Sequence, residues 1–329
     1  MAIWLPLTLP FRWGAFMSRR SLLLSMCLGR EPAIRCEITG LGSENPNDVV
    51  FTKSPDFPTE SQAWEEYTDT YGNKFAKFHK WFTKRYFDAN NHLTGFVISN
   101  QKEDNDFIPY DCFVDENGNE LDYILIGRYC FTSTSQASSV SGERASLIQN
   151  NARTLARALG NGYQLFDCMM FTFWRDLTYA IKESVDFNPT AITIENWLGL
   201  NHLEKAFQID GFSQYSGYFL YCKKPSKYVD SPTNQTEGYI QTFALPTDNG
   251  CIKSLYCSSN EKLFNMPYET IVDYTYTKYY CDAWTYKSGS HCFVVNIGMG
   301  GYKDYGIMYI LWKKYGTNGY HRLCYRPIS

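Results

Sequence analysis

The residues of this 329-residue chain that could carry chemistry are thinly spread. Eleven cysteines (Cys27, Cys36, Cys112, Cys130, Cys168, Cys222, Cys251, Cys257, Cys281, Cys292 and Cys324) show no Cys-x-x-Cys spacing. Their odd number and mostly apolar neighbours predict reduced, buried thiols and synthesis in a reducing cytoplasm, rather than a secreted disulfide framework. The five histidines stand apart from one another, so no zinc ligand set forms and no metal is expected. Ser290-His291 suggests a hydrolase pair, but Ser288-Gly289-Ser290-His291 has the composition of a turn. Glu103, Asp104 and Asp106 could pose as catalytic carboxylates, yet they read as a solvated polar turn. Neither catalysis nor a cofactor is expected.

What the sequence does have in excess is aromatic surface. Aromatic residues make up 17% of the chain, with 26 Tyr, 22 Phe and 8 Trp. Tyr and Trp pair a large apolar face with a polar tip and are enriched where proteins recognise other molecules. Between Tyr268 and Tyr325 they are dense, and side chains alternate faces along a strand, so only about half of them can enter a core. The remainder predict an exposed aromatic cluster, the mark of an interaction surface. Tyr274, Tyr276, Trp284, Tyr286, Tyr302, Tyr305, Trp312, Tyr315 and Asn318 are the candidate receptor-binding residues. Lys303-Asp304-Tyr305-Gly306 and Lys314-Tyr315-Gly316-Thr317-Asn318 share the composition of antibody paratopes, with rigid amphipathic anchors beside adaptable hydrogen-bonders. Such rings suit a surface glycan as well as a protein.

Charge narrows the partners. The net charge is −3 and no run of Lys or Arg exceeds a pair, so the footprint of a nucleic-acid backbone is missing. With 44% hydrophobic and 20% charged residues the chain is globular. Arg19-Arg20 followed by Leu22, Leu23 and Leu24 mimics a short signal peptide, but the apolar run is only about eight residues, too short to span a membrane. Residues 1–30 are read as an extended hydrophobic arm that docks into another protein, with Trp4, Phe11, Trp13, Leu22, Leu23 and Leu24 as its anchors.

The elements that must position these residues follow from pattern. Residues 31–62, with Gly40, Gly42, Pro46, Pro55 and Pro58, have linker composition. Phe75 to Tyr86 and Leu93 to Ser99 flank the turn Asp88-Ala89-Asn90-Asn91, predicting a β-hairpin. Asp122 to Tyr129 is a continuous β-rich run and reads as a buried strand. A first helix is expected from an N-cap at Ser141 through Arg144 to Leu159, stopped by Gly160, with Leu147, Ile148, Ala152, Leu155, Ala156 and Leu159 as its apolar stripe. Asp167 should cap a second helix with Met170, Trp174, Leu177 and Ile181 buried, ending before Asn188-Pro189. Beyond Thr190, short aromatic segments alternate with turns, an irregular loop-rich sheet. Asp210-Gly211 reads as a tight turn, Arg322 as a structural arginine between apolar positions, and Gly300-Gly301 as a point where the backbone takes positive φ.

This order is similar to the formylglycine-generating-enzyme (sulfatase-modifying-factor) branch of the C-type-lectin-like fold. More narrowly it resembles the non-enzymatic versions in phage tail and fibre proteins and in retroelement variable proteins. The resemblance rests on Phe107-Ile108-Pro109-Tyr110 through Ile124 to Tyr129, on Ala152-Arg153 and Ala156 to Leu165, and on Asn196 to His202 with Ile209-Asp210-Gly211-Phe212. It closes on Tyr279 to Asp282, Gly298 to Gly301 and Arg322-Leu323-Cys324, covering about residues 107–329 of the chain. It implies an α+β fold with two helices and an irregular, loop-rich antiparallel sheet. The expected organisation is an anchoring arm and linker at 1–62, a β-hairpin subdomain at 63–106 and the C-type-lectin-like domain at 107–329. The enzyme branch uses paired C-terminal cysteines to hold copper, whereas here Cys292 and Cys324 are far apart in sequence. The calcium-dependent lectins need a carboxylate cluster, whereas Glu44-Asn45-Pro46-Asn47 lies outside the domain. The resemblance therefore implies a non-enzymatic virion protein, a fibre or tip binding a host receptor or glycan. Its N-terminal arm would sit against other virion proteins, and a homotrimer is expected. The alternative is a collar, baseplate or head-decoration protein that uses the same surface for assembly.

Overall fold

The computed structural model describes residues 32–115, 117–186, 196–201, 206–214, 219–223, 239–241, 248, 250–257, 265–271, 278–280, 283–284, 291–296, 310–314 and 318–327, many of the later strands as backbone. Among these the protein is α+β, with two α-helices and sheets paired almost wholly antiparallel. Strands are numbered along the chain.

The first sheet runs in the order β2-β1-β6-β5-β7, made of β1 (Arg35–Thr39), β2 (Val50–Lys53), β5 (Phe82–Phe87), β6 (Leu93–Ser99) and β7 (Ile108–Pro109). The second runs β3-β4-β8-β20-β9, made of β3 (Glu65–Thr68), β4 (Lys74–His79), β8 (Tyr123–Cys130), β9 (Tyr163–Leu165) and β20 (Arg322–Tyr325). β10 (Asn196–Trp197) and β11 (Leu200–Asn201) form a small pair. A third, eight-stranded sheet has the order β14-β13-β12-β18-β19-β17-β15-β16. It consists of β12 (Ala206–Gln214), β13 (Phe219–Lys223), β14 (Tyr239–Gln241), β15 (Gly250–Cys257), β16 (Asn265–Ile271), β17 (Ala283–Trp284), β18 (His291–Asn296) and β19 (Ile310–Lys314). Only its β17/β19 pairing is parallel.

The linker expected at 31–62 is instead two strands of the first sheet. Its glycines and prolines occupy the turns: Gly40 and Gly42 take φ of +80° and +79°, and Pro46 opens a short 3-10 turn capped by Asn45. Between them Cys36 and Ile38 are buried at alternate positions, a period of two that the turn-rich composition masked. The hairpin expected within 63–106 forms only in its second half. β5 pairs with β6 in the first sheet, while β4 turns away to pair with β3 and β8 in the second. Lys80-Trp81 is the break, and Trp81 is buried there. Neither 62 nor 106 bounds a separate core. One cluster joins Cys36 and Phe96, Phe78 and Ile126, Phe113, Trp174, Phe207, Ile252 and Cys324.

The helices lie where their apolar periods put them, with one end revised. α1 (Gln149–Ala158) begins well after Ser141, because Leu147 is tied by backbone bonds in both directions to Gly319 and is held extended. It stops as expected at Gly160, whose φ is +124°. α2 (Cys168–Lys182) is capped by the Asp167 carboxylate, which accepts from the backbone N–H groups of Met169 and Met170 at 3.0 and 2.9 Å. Met170, Trp174 and Leu177 are fully buried, as their spacing predicts, and Ile181 is half-buried. The burial does not stop at that stripe: from Cys168 to Ala180 every residue of α2 is buried, so the helix is the central post of the core. Phe173 packs its ring against Phe78, Tyr110 and Phe113 at centroid distances of 5.6, 5.3 and 4.9 Å.

Candidate functional site

The second sheet has two faces. The residues Ala76, Phe78, Ile124, Ile126 and Cys324 point into the main core. On the other face the cross-strand pairs place Glu65, Lys77, Leu125, Tyr325 and Tyr163 in one row across the five strands. Helix α1 covers one end of this face, where Phe75, Leu125, Leu165 and Leu323 pack with Ala152 and Ala156. The rest is left to tyrosines: Tyr67 on β3, Tyr71 in the β3–β4 turn, Tyr123 on β8, Tyr163 on β9 and Tyr325 on β20. Tyr67 is 40% and Tyr71 54% exposed, the most open aromatic side chains among the described residues.

The rings of Tyr71, Tyr163 and Tyr325 are fixed by their own neighbours. Tyr71 meets Tyr163 edge-on at 6.0 Å, and Tyr163 meets Tyr325 at 4.9 Å. The Tyr71 hydroxyl donates to the Leu159 carbonyl at the end of α1 (3.0 Å), and the Tyr163 hydroxyl donates to Asp69 (2.8 Å). Asp69 is itself held by the turn, accepting from the backbone of Tyr71 and Asn73 at 2.9 and 2.8 Å and from the Asn73 amide at 3.0 Å. Burial and the Asp69 carboxylate push the Tyr163 hydroxyl well above its ordinary range, so it stays a donor. Burial likewise raises Tyr325, with Tyr123 and Tyr67 close enough to add to the shift. Gly162 sets the approach of β9. Its φ is +86°, and a Cβ there would run into the Arg326 carbonyl oxygen and the Tyr325 ring.

The charges on this face are spent on one another. Lys77 lies 5.2 Å over the Tyr123 ring and bonds Glu65 at 3.1 Å, and His79 bonds the other Glu65 oxygen at 3.0 Å. The His79 and Lys77 hydrogen bonds hold the Glu65 carboxyl below its usual range. Asp104 and Asp106, read from sequence as a solvated turn, are exposed and both bond Lys84, while Glu103 bonds Arg35.

The strongest electrostatics are buried and structural. Asp176 on α2 accepts from Arg85 (2.6 Å) and Tyr110 (3.2 Å) on one oxygen, and from Arg175 (3.0 and 2.6 Å) on the other. Asp210 accepts from Arg153 (3.0 and 2.7 Å) and Gln149 (2.9 Å) of α1. Asp210-Gly211 is thus not a free turn. It lies at a bulge in β12, and the Asp210 N–H donates to the Phe166 carbonyl, which brings the third sheet onto the helix pair. The second oxygen of the α2 cap, Asp167, accepts from Arg326 at 2.8 Å. Arg322 is structural as read: its guanidinium donates to the Gly127 and Arg128 carbonyls at 3.1 and 2.8 Å and lies 4.6 Å over the Phe207 ring. Cys36, Cys112, Cys130, Cys168, Cys251 and Cys324 are buried free thiols. Burial raises the Cys36 and Cys324 thiols to about 12 and Cys112 well above its usual value, so none of these three is a poised nucleophile.

Most residues assigned to recognition from the sequence fall outside the described part. That is true of Tyr274, Tyr276, Tyr286, Tyr302, Tyr305 and Tyr315, of the anchors Trp4, Phe11, Trp13, Leu22, Leu23 and Leu24, and of Gly300-Gly301. The backbones of Trp284 and Trp312 are brought onto neighbouring strands, since Trp284 pairs with Ile310 and Trp312 is two positions further along β19. Asn318 is exposed beside Gly319. The tyrosine face was not found from sequence as a unit. A local signal existed: Tyr67 precedes the Asp69–Asn73 turn and Tyr71 lies within it, and turns lie at the surface. Tyr163 and Tyr325 gave none, since β9 and β20 meet only in the fold.

Compared with known protein families the chain matches none, and it matches no curated protein.

Proposed function

We propose that the protein is a non-enzymatic phage virion protein, a fibre or tip component. On this reading it carries a C-type-lectin-like domain and binds a host surface receptor or glycan with aromatic side chains. The observation that carries this reading is the open, hydrogen-bonded tyrosine face, where Tyr67 and Tyr71 stand in solvent while the charged groups beside them are paired internally. Rigid aromatic side chains held ready at a surface cost little to order on binding. Opening strands, a helix pair and a long run of mostly antiparallel sheet support that reading. The proposed assembly is a homotrimer, fixed to the particle by the arm at 1–30 and reaching the host with the aromatic residues of the 274–318 region.

Replacing Tyr67 and Tyr71 with Ala, and in a second variant Tyr305, Trp312 and Tyr315 together, tests this directly. Adsorption of the particle to host cells is expected to be lost while particles still assemble. Unchanged adsorption overturns the reading, and failed assembly with normal folding transfers the surface to a collar, baseplate or decoration role.

A further inference from the structure

The tyrosine face of the second sheet has a chemistry of its own, and we infer that it is a binding platform for an uncharged oligosaccharide, separate from the C-terminal loops. It lies on the opposite side of that sheet from the main core, and all of its residues are described: Tyr67, Tyr71, Tyr123, Tyr163, Tyr325 and Lys77. The inference rests on the recognition reading above but not on the loops at 274–318.

Charge selects the partner class. Lys77 is committed to Glu65 and the Tyr123 ring, His79 to Glu65, and Asp69 to Tyr163 and its own turn. Among the described residues the face offers no uncommitted cation for a phosphate or sulfate backbone, and no uncommitted anion for a basic peptide. An extended peptide would dock by adding a strand to the free edge of β3, but that edge carries Glu65 and Glu66, charges that discourage strand addition. A neutral pyranose chain meets none of these obstacles. Its axial C–H groups carry partial positive charge and rest on the electron-rich faces of tyrosine rings, while its hydroxyls meet the Tyr, Lys77 and Glu65 polar atoms at the rim. The tilt between Tyr163 and Tyr325, 54°, and between Tyr71 and Tyr163, 73°, makes a trough rather than a flat stack. The hydroxyl bonds to Leu159 and Asp69 hold that shape before anything arrives.

The full-length protein is applied to an array of neutral and acidic oligosaccharides, and the best neutral binder is then titrated by calorimetry. Binding to neutral members is expected, weakened about tenfold or more in the Tyr67→Ala/Tyr71→Ala double variant, the scale of losing aromatic stacking. The Tyr305→Ala/Trp312→Ala/Tyr315→Ala variant should keep that binding, which separates this site from the loops. No binding to any neutral member, binding only to acidic ones, or equal affinity in the Tyr67/Tyr71 variant overturns the inference. Loss of host adsorption in the loop variant with intact sugar binding leaves the two sites distinct.

Discussion

The two faces of the second sheet use polar chemistry in opposite ways. Toward the core, around α2, charges are sealed off from solvent and answered one by one: Asp176 by Arg85 and Arg175, Asp167 by Arg326, Asp210 by Arg153 and Gln149. Arginine cannot shed its proton in a protein, so each of these carboxylates is needed to keep a buried cation tolerable. Toward solvent, the same sheet and its β3–β4 turn carry Tyr67, Tyr71, Tyr123, Tyr163 and Tyr325 with weak, exposed ion pairs between them. The contrast teaches where to look for function. The buried networks join α1, α2, β12 and the chain's last strand into one body, and their loss should unfold it. The tyrosines add little to folding, so their arrangement is free to serve recognition.

Breaking the inner side should have the largest effect. Asp176→Ala leaves Arg85 and Arg175 facing each other without an anion, and stability should fall by about 3–5 kcal/mol. Urea unfolding followed by circular dichroism measures this, and a loss below about 1 kcal/mol would show that the pair of arginines is solvated after all. Asp210→Ala should come next, since Arg153 keeps a bond to Asn150 at 2.8 Å that softens the loss. A midpoint unchanged from wild type would mean that the β12 bulge is not held to the helices by this charge.

Acid should act on the turns at the rim of the molecule. Backbone hydrogen bonds within their turns hold the Asp88 and Asp104 carboxyls below the ordinary 3.8, and the Asn119 side chain, followed by its turn's backbone, does the same for Asp115. Carboxyls lowered in the folded state stabilise it above that unfolded value, and the contribution disappears as pH falls through the lower folded value. Stability should therefore decline below about pH 4. Asp115→Asn should flatten part of that decline, and an identical acid limb in the variant would contradict the assignment.

The outer face should give the smallest change in stability. Tyr67→Ala and Tyr71→Ala are expected to shift unfolding by only about 0.5–1 kcal/mol each, the range for surface side chains that lose a single hydrogen bond or edge contact. A drop as large as that of Asp176→Ala would make the tyrosines part of the core and remove the contrast. The buried thiols sharpen the same point from another side. In native protein at pH 8, Cys36, Cys112 and Cys324 should resist alkylation over hours, and peptide mass spectrometry reads each site; rapid labelling would mean that the core opens readily.

How much of this was legible in the sequence depends on the range of the interaction. Local signals carried well. The Asp167 cap, the Gly160 stop and the buried stripe of α2 follow from spacing alone. Cys36 and Ile38 alternate inside a stretch whose glycines and prolines hid the strand. Leu147 fits a helical stripe, yet its backbone is claimed by Gly319, a partner far along the chain. Asp210-Gly211 has a turn composition, but its function as a buried anion depends on Arg153 and Gln149. The tyrosine face is the extreme case: β3, β8, β9 and β20 lie far apart in the chain, and only their pairing through β4 and the returning last strand assembles it.

Hydroxyl-radical footprinting of tyrosine and tryptophan, read by mass spectrometry on intact particles before and after mixing with host envelopes, tests the central claim most directly. The proposed virion role predicts that Tyr67, Tyr71 and the aromatic residues at 302–315 are modified readily on the free particle and become protected by the envelope. Protection already complete on the free particle, with no further change on adding envelopes, would contradict it and give the surface to neighbouring virion subunits.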